Sequence, residues 1–372
     1  MLNNTILYLI ISIILIVIII IIFLLNKNKK TNSQFTNTHS TMYDGILRGV
    51  YPHSNITTMN TDFVISGNED CLQSLRMAGS IHKMVRRDMR PYLKPGLDLI
   101  DLSKLINNRI RHYTKNTGYN GGIGFPPIPS MSNNENNIVA HYSPYKDKKI
   151  LTYNDNLKID FGVHVNGWIV DSSSTIYFNP DYDVLNIATK DALDHALKIV
   201  GIDTPIDDVS SIINEIITSY EIYYKNEYHT LKVINDCGGH NIKQYNIHGG
   251  EHVANKPVGN MTRFKRGIYA IEPFATIMNT QIYDGPEKNN YRIKPQFHND
   301  TNPLYKIFNY LIFSDSHLEY YNINNIDDYI KKGMITIYPS VYGMKGDMSC
   351  QYEHTVYLDD NIKEVITQSD DY

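Results

Sequence analysis

The sequence predicts an α/β chain of the α+β kind, mainly antiparallel strands flanked by helices. Three patterns carry that expectation. Asn166-Gly167 stands between two runs of alternating apolar residues that reach from Leu157 to Phe178. This dipeptide is the strongest short-range hairpin signal, because a type I′ turn needs φ > 0 at both central positions. Apolar residues recur at helical spacing through Leu72, Leu75, Ala78, Ile81, Met84, Val85 and Met89, and again through Leu99, Leu102, Leu105, Ile106, Ile110 and Tyr113. Two β-rich stretches, Gly267–Phe274 and Cys350–Leu358, follow downstream.

Taken in order, the chain opens with an uncharged apolar run from Thr5 to Leu25. About 20 such residues cross a bilayer core, so residues 5–25 read as a transmembrane anchor. Lys27, Lys29 and Lys30 follow it, whereas Met1–Asn4 carry no charged side chain. The positive-inside rule then puts the N-terminus outside or in a lumen and the remainder in the cytosol. Residues 26–41 read as a polar linker, and 42–66, without a clear period, as an arm laid over the domain that fills the rest of 42–372. The first helix is expected from Glu69 to Tyr92, ended by Lys94-Pro95-Gly96. Gly121–Pro127 reads as a shaped loop that continues as a polar loop to Asn137. Asp181 to Tyr224 reads as mostly helical, and 276–346, rich in Tyr and Asn, carries helix-like stretches near 304–313 and 326–332.

Composition excludes some classes of function. A net charge of −4 gives no case for specific nucleic-acid binding. Three scattered cysteines, Cys71, Cys237 and Cys350, are too few for a disulfide framework or a thiolate zinc site, and fit reduced thiols in a cytosol-like compartment.

The chemistry centres on the hairpin. With a two-residue loop Val165 faces Trp168, Asp160 faces Ser173 and Asp171 faces Gly162, so the two aspartates share one face with Cα atoms roughly 7–8 Å apart. Side-by-side carboxylates repel unless a cation lies between them; the alternative is two aspartates on a solvent-facing surface. Downstream, Glu272 and Glu353 stand in β-like segments among small or apolar neighbours, and His240 ends Asp236-Cys-Gly-Gly-His240. Four carboxylates and one imidazole would balance two divalent cations, and an oxygen-rich set with one nitrogen suits Mn, Co, Fe or Zn.

Lys158-Ile-Asp-Phe-Gly162, Trp168-Ile-Val-Asp171, Gly239-His240, Ile247-His248, Tyr269-Ala-Ile-Glu272, Gln351-Tyr-Glu-His354 and the terminal Asp-Asp-Tyr together resemble type 2 methionine aminopeptidases, metallopeptidases of the pita-bread fold. The resemblance runs from about Asn68 to Tyr372. It implies that Asp160, Asp171, His240, Glu272 and Glu353 hold two divalent metals, that a water or hydroxide between them attacks the peptide, and that Glu272 relays the proton. It also implies that His141 and His248 contact the substrate by donating hydrogen bonds, and that Phe125, Ile247 and Tyr338 line the methionine pocket. The implied substrates are N-termini of nascent chains that carry Met before a small residue, met near the ribosome by a monomer. The long separation of Glu272 from Glu353 implies the inserted helical subdomain of type 2. Asn290 departs from the pattern, standing where an additional pocket histidine is expected. A non-catalytic ribosome- or RNA-associated protein and an X-Pro peptidase of the same fold are the alternatives. His164, His252 and His354 read as structural.

Overall fold

In the computed structural model, residues 70–115, 120–299 and 301–372 are described. The expected anchor 5–25, linker 26–41 and arm 42–66 lie outside them. Among the described residues no helix is long and apolar enough to cross a membrane.

Two helices come first, α1 (Cys71–Met89) and α2 (Leu99–Tyr113), joined through a 3-10 turn at Arg90–Tyr92. Each opens on an aspartate whose side chain accepts a backbone N–H: Asp70 from Gln73 at 2.8 Å and Asp98 from Ile100 at 2.9 Å. The first helix ends earlier than Lys94-Pro95-Gly96 suggests, because Pro91 lacks an N–H and stops the α ladder. Most of the predicted stripe is buried, with Leu75, Ala78, Ile81 and Val85 fully so and Leu72 half-buried. It packs α1 on the hairpin.

That hairpin is β3 (Asn156–Val165) and β4 (Trp168–Tyr177), in the predicted register of Val165 opposite Trp168, Asp160 opposite Ser173 and Gly162 opposite Asp171. Asn166 and Gly167 have φ of 51° and 78°, as a type I′ turn requires. A Cβ on Gly167 would also lie 2.3 Å from the Tyr245 ring, so the position demands glycine twice over. The stretch expected to be a loop is instead a strand, β1 (Gly121–Ser132), paired antiparallel with β3. Its Pro126 and Pro127 fall in the register shift between Phe125 and Ile128, where the ladder asks for no donor. Strand β2 (Ile138–Ala140) follows a turn closed by Asn133, whose side chain accepts from the N–H groups of Glu135 and Asn136.

Helices α3 (Asp183–Ile199) and α4 (Ile206–Thr218) are as expected, but the helical reading runs too far. Glu221–Tyr224 and Glu227–Thr230 form a hairpin, β5 and β6. The alternation of exposed Glu221 and Tyr223 with buried Ile222 and Tyr224 is the period-2 signal that was missed. The short strand Lys232–Val233, β7, follows. Strands β8 (Gly238–Ile242), β9 (His252–Ala254) and β10 (Gly267–Ile271) belong to a second antiparallel sheet, and α3 and α4 share its main apolar core.

Each of the two downstream stretches read as a single strand is broken at its glutamate. Glu272-Pro273 separates β10 from β11 (Phe274–Thr276). The segment between them and the end of the chain carries β12 (Ile282–Asp284), β13 (Asn290–Ile293), α5 (Pro303–Phe308), β14 (Phe313–Ser314), α6 (Asp315–Tyr320), α7 (Ile326–Lys331), β15 (Ile335–Tyr338) and β16 (Val341–Gly343). Expected to be helical, this insertion is mixed: β14, β13 and β15 form a sheet, and its own small core includes Tyr291, Phe308, Phe313 and Leu318. Strands β17 (Ser349–Gln351), β18 (His354–Asp359) and β19 (Ile362–Val365) end the fold.

Candidate metal centre

Local structure gathers the five predicted ligand-type residues. Asp160 and Asp171 come from the middle of β3 and β4. His240 lies on β8, opposite Ala270 of β10. Gly239 before it could not carry a side chain, since a Cβ there would lie 2.3 Å from the Ala270 carbonyl oxygen. Both glutamates occupy one place. β10 pairs with β18 through Ile271 and His354, and β11 pairs with β17 through Phe274 and Gln351. Glu272 and Glu353 therefore face each other where both strands pass from one sheet to the next. The Glu353 N–H donates to the Ser173 carbonyl at 2.9 Å, and Thr355 Oγ1 accepts the Asp171 N–H at 2.8 Å. These bonds fix the glutamate strand beside the hairpin.

All five residues are 8% exposed or less. Asp171, His240 and Glu353 each offer one ligand atom within 4.8 Å of the others. His240 Nε2 lies 3.4 Å from a Glu272 carboxylate oxygen and 4.0 Å from Asp171 Oδ2. Asp160 Oδ1, Asp171 Oδ1 and both Glu353 carboxylate oxygens are buried without a hydrogen-bond partner. Buried carboxylates left in this state are costly, by several kcal/mol each when ionised. Burial raises the Asp160 carboxyl to about 7, and raises Asp171, Glu272 and Glu353 well above the ordinary range, with their mutual charges adding to the effect. Burial holds His240 at about 4, neutral and able to offer a lone pair. Orphaned oxygens converging beside a neutral imidazole fit divalent cations, and thiolates are not part of the set.

A cleft of about 310 Å³ opens onto the carboxylates and is lined by Phe125, His141 and His248 among others. His248 meets the His240 ring edge-on at 4.7 Å. Tyr338 lies against both cleft histidines, 6.3 Å from His141 and 6.1 Å from His248 between ring centres. Ile247 is 1% exposed and is not among the cleft-lining residues. His141 has φ of 59°, a left-handed conformation that costs about 1–2 kcal/mol for a residue with a side chain. Burial lowers the pKa of its ring, and the Pro339 carbonyl accepts a hydrogen bond from it.

Of the histidines read as structural, His252 also lines the cleft, opposite His240 across the β8–β9 pair. His164 takes the Gly167 N–H at the turn, and His354 stacks on Tyr372 at 4.9 Å, so these two are structural as expected. Three contributors escaped the sequence reading. Gln351 Nε2 donates to both Asp160 Oδ2 and Glu272, each at 3.2 Å. Lys158, buried on the same face of β3 as Asp160, donates to Ser132 Oγ at 2.7 Å and Ser349 Oγ at 3.1 Å, and burial brings it to about 7. Arg86 of α1, 2% exposed, grips Asp371 through two nitrogens, and Tyr372 meets Ser172 Oγ, which donates to the Glu353 carbonyl. The even alternation around Gln351 was the available signal for the first; nothing local marks the other two, because their partners are remote in sequence.

Buried carboxylates and one imidazole arranged for divalent cations within antiparallel sheets suit a metal-dependent hydrolase. Residues 73–300 match the profile of metallopeptidase family M24, and the chain belongs to that family. Its curated relatives include methionine aminopeptidase 2-1 of Ajellomyces capsulatus, 35% identical over 330 residues that cover 82% of this chain and 73% of the relative. Methionine aminopeptidase 2 of Komagataella phaffii is 34% identical over 316 residues, covering 80% and 70%. A methionine aminopeptidase structure from Thermotoga maritima superposes with a TM-score of 0.55 at 18% identity over 80% of this chain and 96% of that one. A thermophilic Arx1 structure superposes with a TM-score of 0.63 at 14% identity, over 80% and 90%. These superpositions carry the fold alone, and it is the expected pita-bread fold.

Proposed function

We propose that the chain removes the N-terminal methionine from polypeptides in a metal-dependent reaction, with Asp160, Asp171, His240, Glu272 and Glu353 as the metal ligands. The observation that carries this reading is the convergence of those five buried side chains, several oxygens of which lack any protein partner, in a chain about a third identical to methionine aminopeptidases 2. Two divalent ions held there, whether Mn, Co, Fe or Zn, would polarise the scissile carbonyl and lower the pKa of water. Glu272 takes a proton from the attacking water and delivers it to the leaving amine. His141 donates one ring N–H to the Pro339 carbonyl, so its other nitrogen is an acceptor in the neutral ring. Through that nitrogen His141 receives the scissile N–H, and His248, neutral through burial, donates to the developing oxyanion. Phe125, Tyr338 and Ile247 form or back the apolar wall for the methionine side chain, a shape suited to a thioether.

Residues 5–25 anchor the chain in a membrane with the catalytic domain on the cytosolic side, near the ribosome, where nascent chains with Met before a small residue are met. The uncharged run and the lysines after it support this. The non-catalytic and X-Pro alternatives are not favoured, since the ligand set is complete and the curated relatives quoted are methionine aminopeptidases. Incubating the protein with Met-Ala and Ala-Pro peptides and added Mn or Co tests the reading. Release of methionine alone supports it; cleavage of Ala-Pro, or of neither peptide by the folded protein, overturns it.

A further inference from the structure

The strained backbone at His141 is held by the insertion. Asn290 of β13 is 2% exposed, and its Nδ2 donates to the His141 carbonyl at 2.9 Å. The preceding Asn289 Nδ2 donates to the Ser143 carbonyl at 2.5 Å. Two consecutive side-chain amides thus grip two carbonyls on either side of Tyr142. The same insertion reaches the ring as well. Asn290 lies opposite Tyr338 across the β13–β15 pair, Tyr338 meets the His141 ring edge-on, and Pro339 accepts the ring's hydrogen bond. β16 then pairs Val341 with Ala140, the residue before His141. Backbone and ring of His141 are therefore fixed by strands of the insertion, in two neighbouring sheets, from outside the ligand-bearing strands.

We propose that Asn290 is a positioning residue for His141, with Asn289 as its companion, and that the insertion sets the orientation of this histidine toward the scissile peptide. The inference rests on the role given to His141 above. A left-handed residue reverts to a commoner conformation unless its surroundings over-determine it, and here the over-determining contacts are the amide on its carbonyl and the Tyr338-Pro339 edge on its ring. The amide orientation of Asn290 follows from its partner, since only the NH₂ end can satisfy a carbonyl. Its Oδ1 is buried without a partner, so truncation at this position deletes one useful bond and creates no new orphan on the side chain.

The test compares Asn290→Ala, His141→Ala and the double variant in the full chain, with Met-Ala peptide as substrate. Asn290→Ala is expected to lower kcat/KM by about 10–100-fold, the loss that a misplaced reacting group brings. Manganese affinity, read by calorimetry, is expected to stay within about twofold of the parent, since no ligand is touched. The double variant is expected to be no slower than His141→Ala, because a residue that acts only through another has nothing left to lose. In metal-free protein labelled with ¹⁵N-histidine, Asn290→Ala should move the His141 ring signals and leave those of His354 and His82 in place. Unchanged kcat/KM, multiplicative losses in the double variant, or unmoved His141 signals would each overturn the assignment. An inactive parent protein would instead count against the proposed function, and the ring signals would still decide the positioning role.

Discussion

Asp160→Asn should flatten the pH dependence of the metal-free protein's stability. In the unfolded chain an aspartate ionises near pH 4. In the fold, burial raises Asp160 to about 7, against hydrogen bonds from Gln351 and Asp171 that pull the other way. A carboxyl raised in this manner contributes its full stability below pH 4, where it is neutral in both states. That contribution is lost as the pH climbs to 7, because the unfolded chain gives up its proton first. Three pH units at 1.36 kcal/mol each amount to about 4 kcal/mol. Asp171 is raised by burial and then by the Asp160 charge, so the two titrate as a pair, and removing Asp160 relieves its neighbour as well. The assay is urea unfolding of chelator-treated protein, followed by circular dichroism at several pH values between 4 and 7. The stability of the parent relative to Asp160→Asn should fall by about 4 kcal/mol over that range. Saturating Mn should reverse the trend, because the ion binds the ionised carboxylates. A difference between the two proteins that stays constant across the range would refute the picture of carboxylates buried together without counter-charge.

Other perturbations follow from the same geometry. Gly167→Ala should cost about 2–4 kcal/mol in thermal or urea unfolding, since it adds left-handed strain to overlap with the Tyr245 ring. Gln351→Leu removes the amide that joins Asp160 to Glu272 and should weaken Mn binding by about 10–100-fold in calorimetry. Arg86→Met leaves buried Asp371 with only the longer Arg90 contact at 3.6 Å and the Ser369 hydroxyl, and should cost about 3 kcal/mol at neutral pH. Asp371 is raised by burial, but the Arg86 charge and hydrogen bonds outweigh this and bring it to about 2. The stability it contributes is therefore present above pH 4 and lost as pH falls toward 2. Cys237, pushed up to about 12 by burial and then by Glu272, should resist iodoacetamide at pH 7 in a mass-spectrometric assay despite lining the cleft.

Local chemistry decided what could be read in the sequence. The Asn166-Gly167 turn fixed the hairpin register to the residue, because turn type and period 2 leave one solution. Helices α1 and α2 were legible from their apolar stripes. The exposure of Asp160 and Asp171 was not, since both faces of this hairpin are covered and alternation could suggest only one. Gly121–Ser132 hid a strand behind glycines and prolines, because register shifts make room for residues that a regular ladder rejects. The two glutamates were found, but not the reason for their meeting, which is a break in both strands at once. Arg86, Lys158 and Asn290 gain their roles only from partners brought close by the tertiary fold.

On the proposed function, these five residues hold a pair of divalent ions that the release of methionine requires. Titrating chelator-treated protein with Mn, while measuring methionine freed from a Met-Ala peptide, tests it most directly. The expected result is no release without metal, activity that saturates with two bound ions per chain, and neither binding nor release in a folded Asp171→Asn variant. Methionine release that persists without metal, or in that variant, would rule out these residues as the holders of a required metal pair.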